Sequence, residues 1–136
     1  MNKSLKVLLV EDDAIEIMKF RRVLEKLGLD HDITQCADGE CALKFLKDAQ
    51  VLPSIILLDL NMPRMDGLDF LKYLKDHSDY KYIPTVILTT SNNKKDMLRC
   101  YQLGIAGYIL KPLKYEDYEN RIAAFFQYWS LNQLVH

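Results

Sequence analysis

A doubly wound α/β fold around a parallel sheet is what this sequence predicts, and three observations predict it. Short apolar runs recur along the chain, Val7-Leu8-Leu9-Val10 and Ile55-Ile56-Leu57-Leu58 most clearly, and unbroken runs of this kind suit strands buried on both faces. Between the runs, apolar residues return at three- and four-residue spacing, as in helices with one buried face. Five such strand-helix pairs fill 136 residues, enough for one domain with a core of ordinary size. Parallel neighbours need crossover connections, and right-handed crossovers lay helices over both faces of the sheet.

The first strand, Val7 to Val10, stops at Glu11-Asp12-Asp13. A helix follows from Ala14 to Leu27, its buried face marked by Ile17, Phe20, Leu24 and Leu27, and Gly28 stands where a left-handed C-terminal cap belongs. A weaker strand spans Asp32 to Cys36, and Asp38 is placed to cap a helix carrying Leu43, Phe45, Leu46 and Ala49. After Pro53, Ile55 to Leu58 form the third strand. The stretch from Asp59 to Gly67 is rich in turn formers, and Leu68, Leu71 and Leu74 mark the third helix. Pro84 opens a fourth strand ending at Thr89, and Met97, Leu98 and Tyr101 belong to a short fourth helix that ends near Gly104. The fifth strand, Gly107 to Leu110, runs into Lys111-Pro112, and the last helix is expected over about 115–134. No domain boundary, repeat or low-complexity tract interrupts the series, so residues 1–136 read as a single domain whose output comes from its own surface.

Lys plus Arg, 18, nearly cancels Asp plus Glu, 19, and the net charge of -1 offers no field for nucleic acid or an anionic membrane. Cys36, Cys41 and Cys100 are odd in number and form no C-x-x-C pair, which argues against a disulfide framework or a zinc site. They read as reduced thiols, with Cys41 and Cys100 as small core residues of helices. His31, His77 and His136 fall in loops and the tail and read as solvated. No apolar run approaches the ~20 residues of a bilayer span. Met1-Asn2-Lys3-Ser4 lacks the apolar stretch of a signal peptide, so a cytoplasmic protein is expected.

In a doubly wound sheet, ligands bind outside the carboxyl ends of the strands, where the strand order reverses. Four strand ends here carry polar groups: Glu11-Asp12-Asp13 after the first, Asp59 after the third, Thr89-Thr90-Ser91 after the fourth and Lys111 after the fifth. In the flavodoxin-like order 2-1-3-4-5 the first and third strands are neighbours, about 4.8 Å apart, and their carboxylates crowd together. Such a cluster needs a compensating cation, and oxygen-only donors favour Mg²⁺ over zinc or copper. A metal, a lysine, a threonine hydroxyl and a carboxylate on a central strand suit a phosphoryl group. The metal and Lys111 neutralise developing charge, and Asp59 attacks phosphorus. Taken singly, each group has an ordinary reading: Asp13 a helix cap, Asp59 a turn residue, Thr89 a strand-end hydroxyl, Lys111 a solvated charge. Their joint placement at one sheet edge points to aspartyl phosphorylation.

Val7-Leu8-Leu9-Val10-Glu11-Asp12-Asp13, Leu58-Asp59-Leu60-Asn61-Met62-Pro63-Arg64-Met65-Asp66-Gly67, Thr89-Thr90-Ser91 and Lys111-Pro112 together resemble the receiver (CheY-like) domain of two-component response regulators, over essentially the whole chain. The resemblance implies that Asp59 is the phosphoacceptor, charged from a phosphohistidine on a sensor histidine kinase. It implies Mg²⁺, or Mn²⁺ in its place, held directly by Asp12, through water by Glu11, and by Asp59 and the backbone carbonyl of Asn61. Thr89 and Lys111 match the residues that contact the phosphoryl oxygens, Tyr108 matches the aromatic switch position, and the bond before Pro112 is cis in the family. Asn61 and Ser91 stand where they would influence a slow loss of the phosphoryl group. The segment Tyr82 to Ser91 and the aromatic ending Phe125-Phe126-Gln127-Tyr128-Trp129 look most like the stand-alone regulators paired with bacteriophytochrome kinases.

An aspartyl phosphate adds charge and acceptor oxygens at one sheet edge, and by the resemblance Tyr108 relays this to the fourth helix, fifth strand and fifth helix. In the fifth helix Tyr118, Ile122, Phe125 and Trp129 form one apolar stripe, while Tyr115, Phe126, Tyr128, Leu131 and Leu134 add apolar surface elsewhere. A homodimer through this region is therefore predicted; the alternative is a long helix with its last turn folded over its own core. A phosphohydrolase of the haloacid-dehalogenase type also uses a strand-end aspartate and Mg²⁺. It places a second aspartate two residues on, where this chain has Asn61, so signalling is expected rather than enzymatic turnover. A pure interaction module with a vestigial acidic site would not need every one of these groups.

Overall fold

Strands β1 (Lys6–Val10), β2 (Asp32–Cys36), β3 (Ile55–Leu58), β4 (Thr85–Thr89) and β5 (Gly107–Leu110) alternate with helices α1 (Ala14–Leu27), α2 (Gly39–Asp48), α3 (Gly67–Asp76), α4 (Lys94–Leu103) and α5 (Tyr115–Trp129). The structure is a computed structural model that describes residues 4–62 and 65–136. Met1 to Lys3 of the N-terminal segment and Pro63-Arg64 of the acceptor-loop motif lie outside the described residues. All four pairings are parallel, in the order β2-β1-β3-β4-β5. The alternating pattern predicts a doubly wound parallel sheet, and the order observed is the flavodoxin-like one in which β1 and β3 are neighbours.

Side chains alternate across each strand, and both faces are apolar. Val7, Leu9, Ile55, Leu57, Val86 and Leu88 pack with Phe20 and Val23 of α1 and with Ile122 and Phe125 of α5. Leu8, Val10, Ile56, Leu58 and Ile87 pack on the other face with Ala42 and Leu46 of α2, Phe70 and Leu74 of α3 and Cys100 of α4. The uninterrupted apolar runs follow from this double covering. Asp13, Asp38, Asp66 and Asn93 each accept a hydrogen bond from a backbone N–H in the first turn of the helix they precede. Gly28 closes α1 at φ 65, a left-handed conformation that costs glycine little.

Several expectations change. The last helix ends at Trp129, short of the predicted 134, because side chains take over its final carbonyls. Ser130 Oγ donates to the Gln127 carbonyl at 3.2 Å and Asn132 Nδ2 to the Tyr128 carbonyl at 2.8 Å. Leu134 then packs against the α1/α5 side of the core, and Val135 and His136 line a groove with Leu46, Leu52 and Tyr80. Phe126, expected to add surface, is buried instead, with its ring 5.9 Å from Phe20. Two histidines read as solvated are packed. His31 stacks on Phe126 at 4.5 Å and its Nδ1 accepts from the Leu5 N–H at 2.9 Å, and His77 stacks on Tyr80 at 3.9 Å. Cys100 is in the core, but Cys41 points outward from the first turn of α2.

Candidate functional site

The site follows from strand register. β1 and β3 run in parallel with Val10 opposite Leu58, so the residues just past each strand, Glu11 and Asp59, leave the sheet side by side. The Asp59 N–H donates to the Val10 carbonyl at 3.0 Å and the Glu11 N–H to the Cys36 carbonyl at 2.9 Å, which fixes both chains at the point where they turn away. Carboxylate oxygens of Glu11, Asp12 and Asp59 all fall within 4.8 Å of one another. Glu11 and Asp59 are buried, and Asp12 is exposed at the rim.

β4 and β5 bring the other half. Thr89 lies opposite Leu110, and the Lys111 N–H donates to the Thr89 carbonyl at 2.8 Å. The Lys111 side chain, 6% exposed, reaches under the acid cluster: Nζ donates to Glu11 Oε1 at 2.8 Å and lies 3.7 Å from Asp59 Oδ2. It also lies 3.7 Å from Oε2 of Glu16, on the first turn of α1. Burial pushes the Glu11 carboxyl up to about 8, Asp59 adds to the rise, and Lys111 partly offsets it. For Lys111, burial works to lower the pKa, but the hydrogen bond to Glu11 and the charges of Glu11, Asp59 and Glu16 outweigh it and the net shift is upward.

Thr90 is exposed, and Thr89, at the end of β4, is fully buried. Its Oγ1 accepts from the Ser91 N–H at 3.3 Å, while the Tyr108 hydroxyl donates to the Ser91 carbonyl at 2.7 Å. One residue of the β4–α4 loop is thus held by Thr89 through its N–H and by Tyr108 through its carbonyl. Tyr108 is half-buried, and that burial raises its hydroxyl pKa. The Asn61 N–H donates to Asp59 Oδ1 at 3.3 Å, which keeps the Asn61 peptide against the acceptor carboxylate. Gly67 begins α3 so close to this loop that a Cβ there would stand 2.5 Å from Leu60 Cα and 2.7 Å from the Asp59 carbonyl oxygen.

One expected feature is absent. The Lys111–Pro112 bond is trans, since no cis peptide bond occurs among the described residues. Trans is the intrinsically preferred form of an X-Pro bond by about 0.5–1 kcal/mol, and with this isomer Lys111 already bonds both Thr89 and Glu11. Sequence reasoning also missed Glu16. An acidic residue in the first turn of a helix reads as a partner of the helix dipole, and the available signal was its place one turn beyond Glu11-Asp12.

Hard oxygen donors packed this closely, with a buried Glu11 oxygen that has no hydrogen-bond partner among the described residues, fit a divalent cation of the Mg²⁺ type. A lysine stands beside one carboxylate at the end of a central strand, an arrangement matched to a phosphoryl group. The family model for the response regulator receiver domain matches residues 7–123. The chain belongs to this family. The function of such receiver domains is to be phosphorylated by a histidine kinase. The chain is 35% identical over 127 residues to the probable methanogenesis regulatory protein FilR2 of Methanothrix harundinacea, covering 90% of this chain and 82% of that protein. It is 34% identical over 128 residues to response regulator Rcp1 of Synechocystis sp., covering 90% and 87%. The Mn(2+)-bound structure of Rcp1 superposes with a TM-score of 0.89 at 32% identity, over 97% of this chain and 99% of that one. The phosphorylated cyanobacterial phytochrome response regulator RcpA gives a TM-score of 0.91 at 29% identity, over 98% and 100%. Among the described residues of this receiver domain, no helix is long and apolar enough to cross a membrane.

Proposed function

We propose that Asp59 accepts a phosphoryl group from a phosphohistidine of a sensor histidine kinase and that the domain signals by the resulting change of its α4–β5–α5 surface. The observation that carries the reading is the Asp59 carboxylate itself, 8% exposed, with Glu11 and Asp12 oxygens within 4.8 Å and Lys111 Nζ at 3.7 Å. An Asp59 oxygen forms the new bond to phosphorus as the phosphorus–nitrogen bond breaks, and the electron pair leaves with the imidazole. When bound by Glu11, Asp12, Asp59 and the Asn61 carbonyl, Mg²⁺, or Mn²⁺ in its place, neutralises charge on the phosphoryl oxygens. Lys111 moves from Glu11 to one phosphoryl oxygen, and the Thr89 hydroxyl turns from the Ser91 N–H to donate to another. Asn61 and Ser91 flank the acceptor and set how fast water removes the group, a slow step and not a catalytic cycle.

Turning Thr89 takes away the acceptor of the Ser91 N–H, and Tyr108 is bonded to the same residue. Tyr108 is thereby coupled to the change through Ser91, whose carbonyl holds its hydroxyl. Driving such a two-state equilibrium from mostly resting to mostly active takes roughly 5.5 kcal/mol of differential binding, which Thr89 and Lys111 supply in part. The output face holds a groove of about 600 Å³ lined by Met97, Tyr108, Leu110, Phe125, Tyr128 and Trp129, along the edge strand β5. We infer a homodimer through this face; exposed Tyr128, Leu98 and Tyr101 support it. At the other side of the acceptor, exposed Ile15, Met18 and Leu113 give the kinase an apolar surface to cover. Similarity to Rcp1 and RcpA supports a bacteriophytochrome as that kinase.

Incubation with acetyl phosphate and Mg²⁺, followed by intact-mass measurement, tests the chemistry. One added phosphoryl group is expected on the wild-type chain and none on Asp59→Asn. A wild-type chain that stays unmodified, with its kinase as well, rules the reading out. Light scattering that finds a monomer with and without a phosphoryl mimic removes the dimer.

A further inference from the structure

Lys111 has one more carboxylate beside it than phosphoryl capture requires. Glu16 Oε2 stands 3.7 Å from Lys111 Nζ, and that oxygen is buried with no hydrogen-bond partner among the described residues. The other Glu16 oxygen lies 3.5 Å from Lys19, whose Nζ sits 4.6 Å from the centre of the buried Tyr118 ring on α5. Asp13 caps this turn and accepts from the Glu16 N–H at 3.4 Å, so a fixed helix start sets the reach of the carboxylate. Glu11, Glu16, Lys111 and Tyr118, with Phe20 and Leu88, enclose a small cavity behind the acceptor. The ammonium group thus lies between Asp59, where a phosphoryl group arrives, and Glu16 on the α1 side.

We propose that Glu16 is a positioning residue that holds Lys111 in its resting place and opposes occupancy of the site by a phosphoryl group. The inference rests on the phosphoryl reading of Asp59. Two effects act in the same direction. Glu16 competes with phosphoryl oxygens for the Lys111 donors, and its charge repels a dianion on Asp59. At a separation of about 7 Å, with the Lys111 ammonium and the divalent cation screening the pair to an effective dielectric of about 35–80, removing one like charge corresponds to roughly a three- to tenfold gain in anion affinity.

The test is a titration of fluoroberyllate, a phosphoryl mimic, in Mg²⁺ by calorimetry. Glu16→Gln is expected to bind roughly three- to tenfold tighter than wild type, while Glu16→Asp, which restores the charge, and Glu25→Gln, an exposed acid on the same helix, stay within about twofold. A gain of affinity is not a result that damaged folding produces. Equal or weaker binding by Glu16→Gln, or an equal gain from Glu25→Gln, overturns the proposal. A second measurement needs no anion: proton exchange of the Lys111 ammonium group, followed by its ¹H–¹⁵N signal, should quicken in Glu16→Gln, and unchanged exchange also overturns it. A wild-type protein that binds no fluoroberyllate defeats the Asp59 reading instead, with the exchange measurement still judging Glu16.

Discussion

Replacing Asp59 by Asn should stabilise the protein when no divalent cation is present. At pH 9, above the value of about 8 to which Glu11 is pushed, Glu11, Asp12 and Asp59 all carry charge. Asp59 then faces two carboxylates within 4.8 Å, each repelling it by about 3.5 kcal/mol at an effective dielectric of about 20. Lys111, 3.7 Å away, returns about 4.5 kcal/mol on the same scale. About 2.5 kcal/mol is left opposing the charged form, and burial of the carboxylate adds to it. Screening at the exposed Asp12 reduces the relief on neutralising Asp59 to about 1–2 kcal/mol, or roughly 4–8 °C in melting temperature for a domain of this size. The sign of the pH dependence follows from Glu11. Its folded pKa lies above the ordinary value of 4.5, so its contribution to stability is complete in acid and is lost as the pH rises through about 8. Metal-free wild type should therefore weaken across that window, and the advantage of Asp59→Asn should grow. Thermal melts in chelator and in Mg²⁺ provide the assay, with Mg²⁺ raising the wild-type midpoint well beyond that of the variant. An Asp59→Asn protein that melts at or below wild type in chelator at pH 9, or equal stabilisation of both by Mg²⁺, would refute the reasoning.

Gly67→Ala should destabilise by about 2–4 kcal/mol and slow labelling by acetyl phosphate, because the new Cβ meets backbone that cannot step aside. Denaturant titration and intact-mass kinetics measure the two effects. Burial lowers the His31 pKa, and its neutral Nδ1 accepts from Leu5, so its contribution is present above the ordinary value of 6.5 and fades as the pH falls through the folded value. His31→Phe, which keeps a ring against Phe126, should lose that acid-side slope in urea midpoints measured between about pH 7 and 5. A thiol reagent should label native Cys41 alone, since burial pushes Cys36 up to about 12 and Cys100 up to about 11. Peptide mapping reads out the site.

The central strands were legible because burial on both faces leaves no room for polar interruption: Leu57 and Leu58 face opposite cores, yet both must be apolar. Two helix starts were legible because Asp13 and Asp38 cap through their own nearby backbone. What could not be read depends on groups distant in sequence. Phe126 looks like surplus surface until His31 and Phe20 close over it. Glu16 looks like a helix-start charge until β5 delivers Lys111 to it. The trans bond before Pro112 is of the same kind, since the isomer depends on what surrounds the peptide and not on the Lys-Pro dipeptide.

In the proposed reading, the acceptor site and the output face share one small device, and the sheet explains why. Thr89 ends β4 and Tyr108 lies on its neighbour β5, opposite Ile87, two residues back along the strand. Side chains two residues apart share a face, so both lie on the side covered by α4 and meet the loop that leads into it. Ser91 is the point they share, with its N–H on Thr89 and its carbonyl on Tyr108. In the proposed switch, a Thr89 hydroxyl that turns toward Asp59 releases the N–H of the residue whose carbonyl accepts from the Tyr108 hydroxyl on the edge strand. On that reading, no long chain of contacts is needed to carry the signal. The distance from chemistry to surface is one loop residue, and it is short because parallel strands end together.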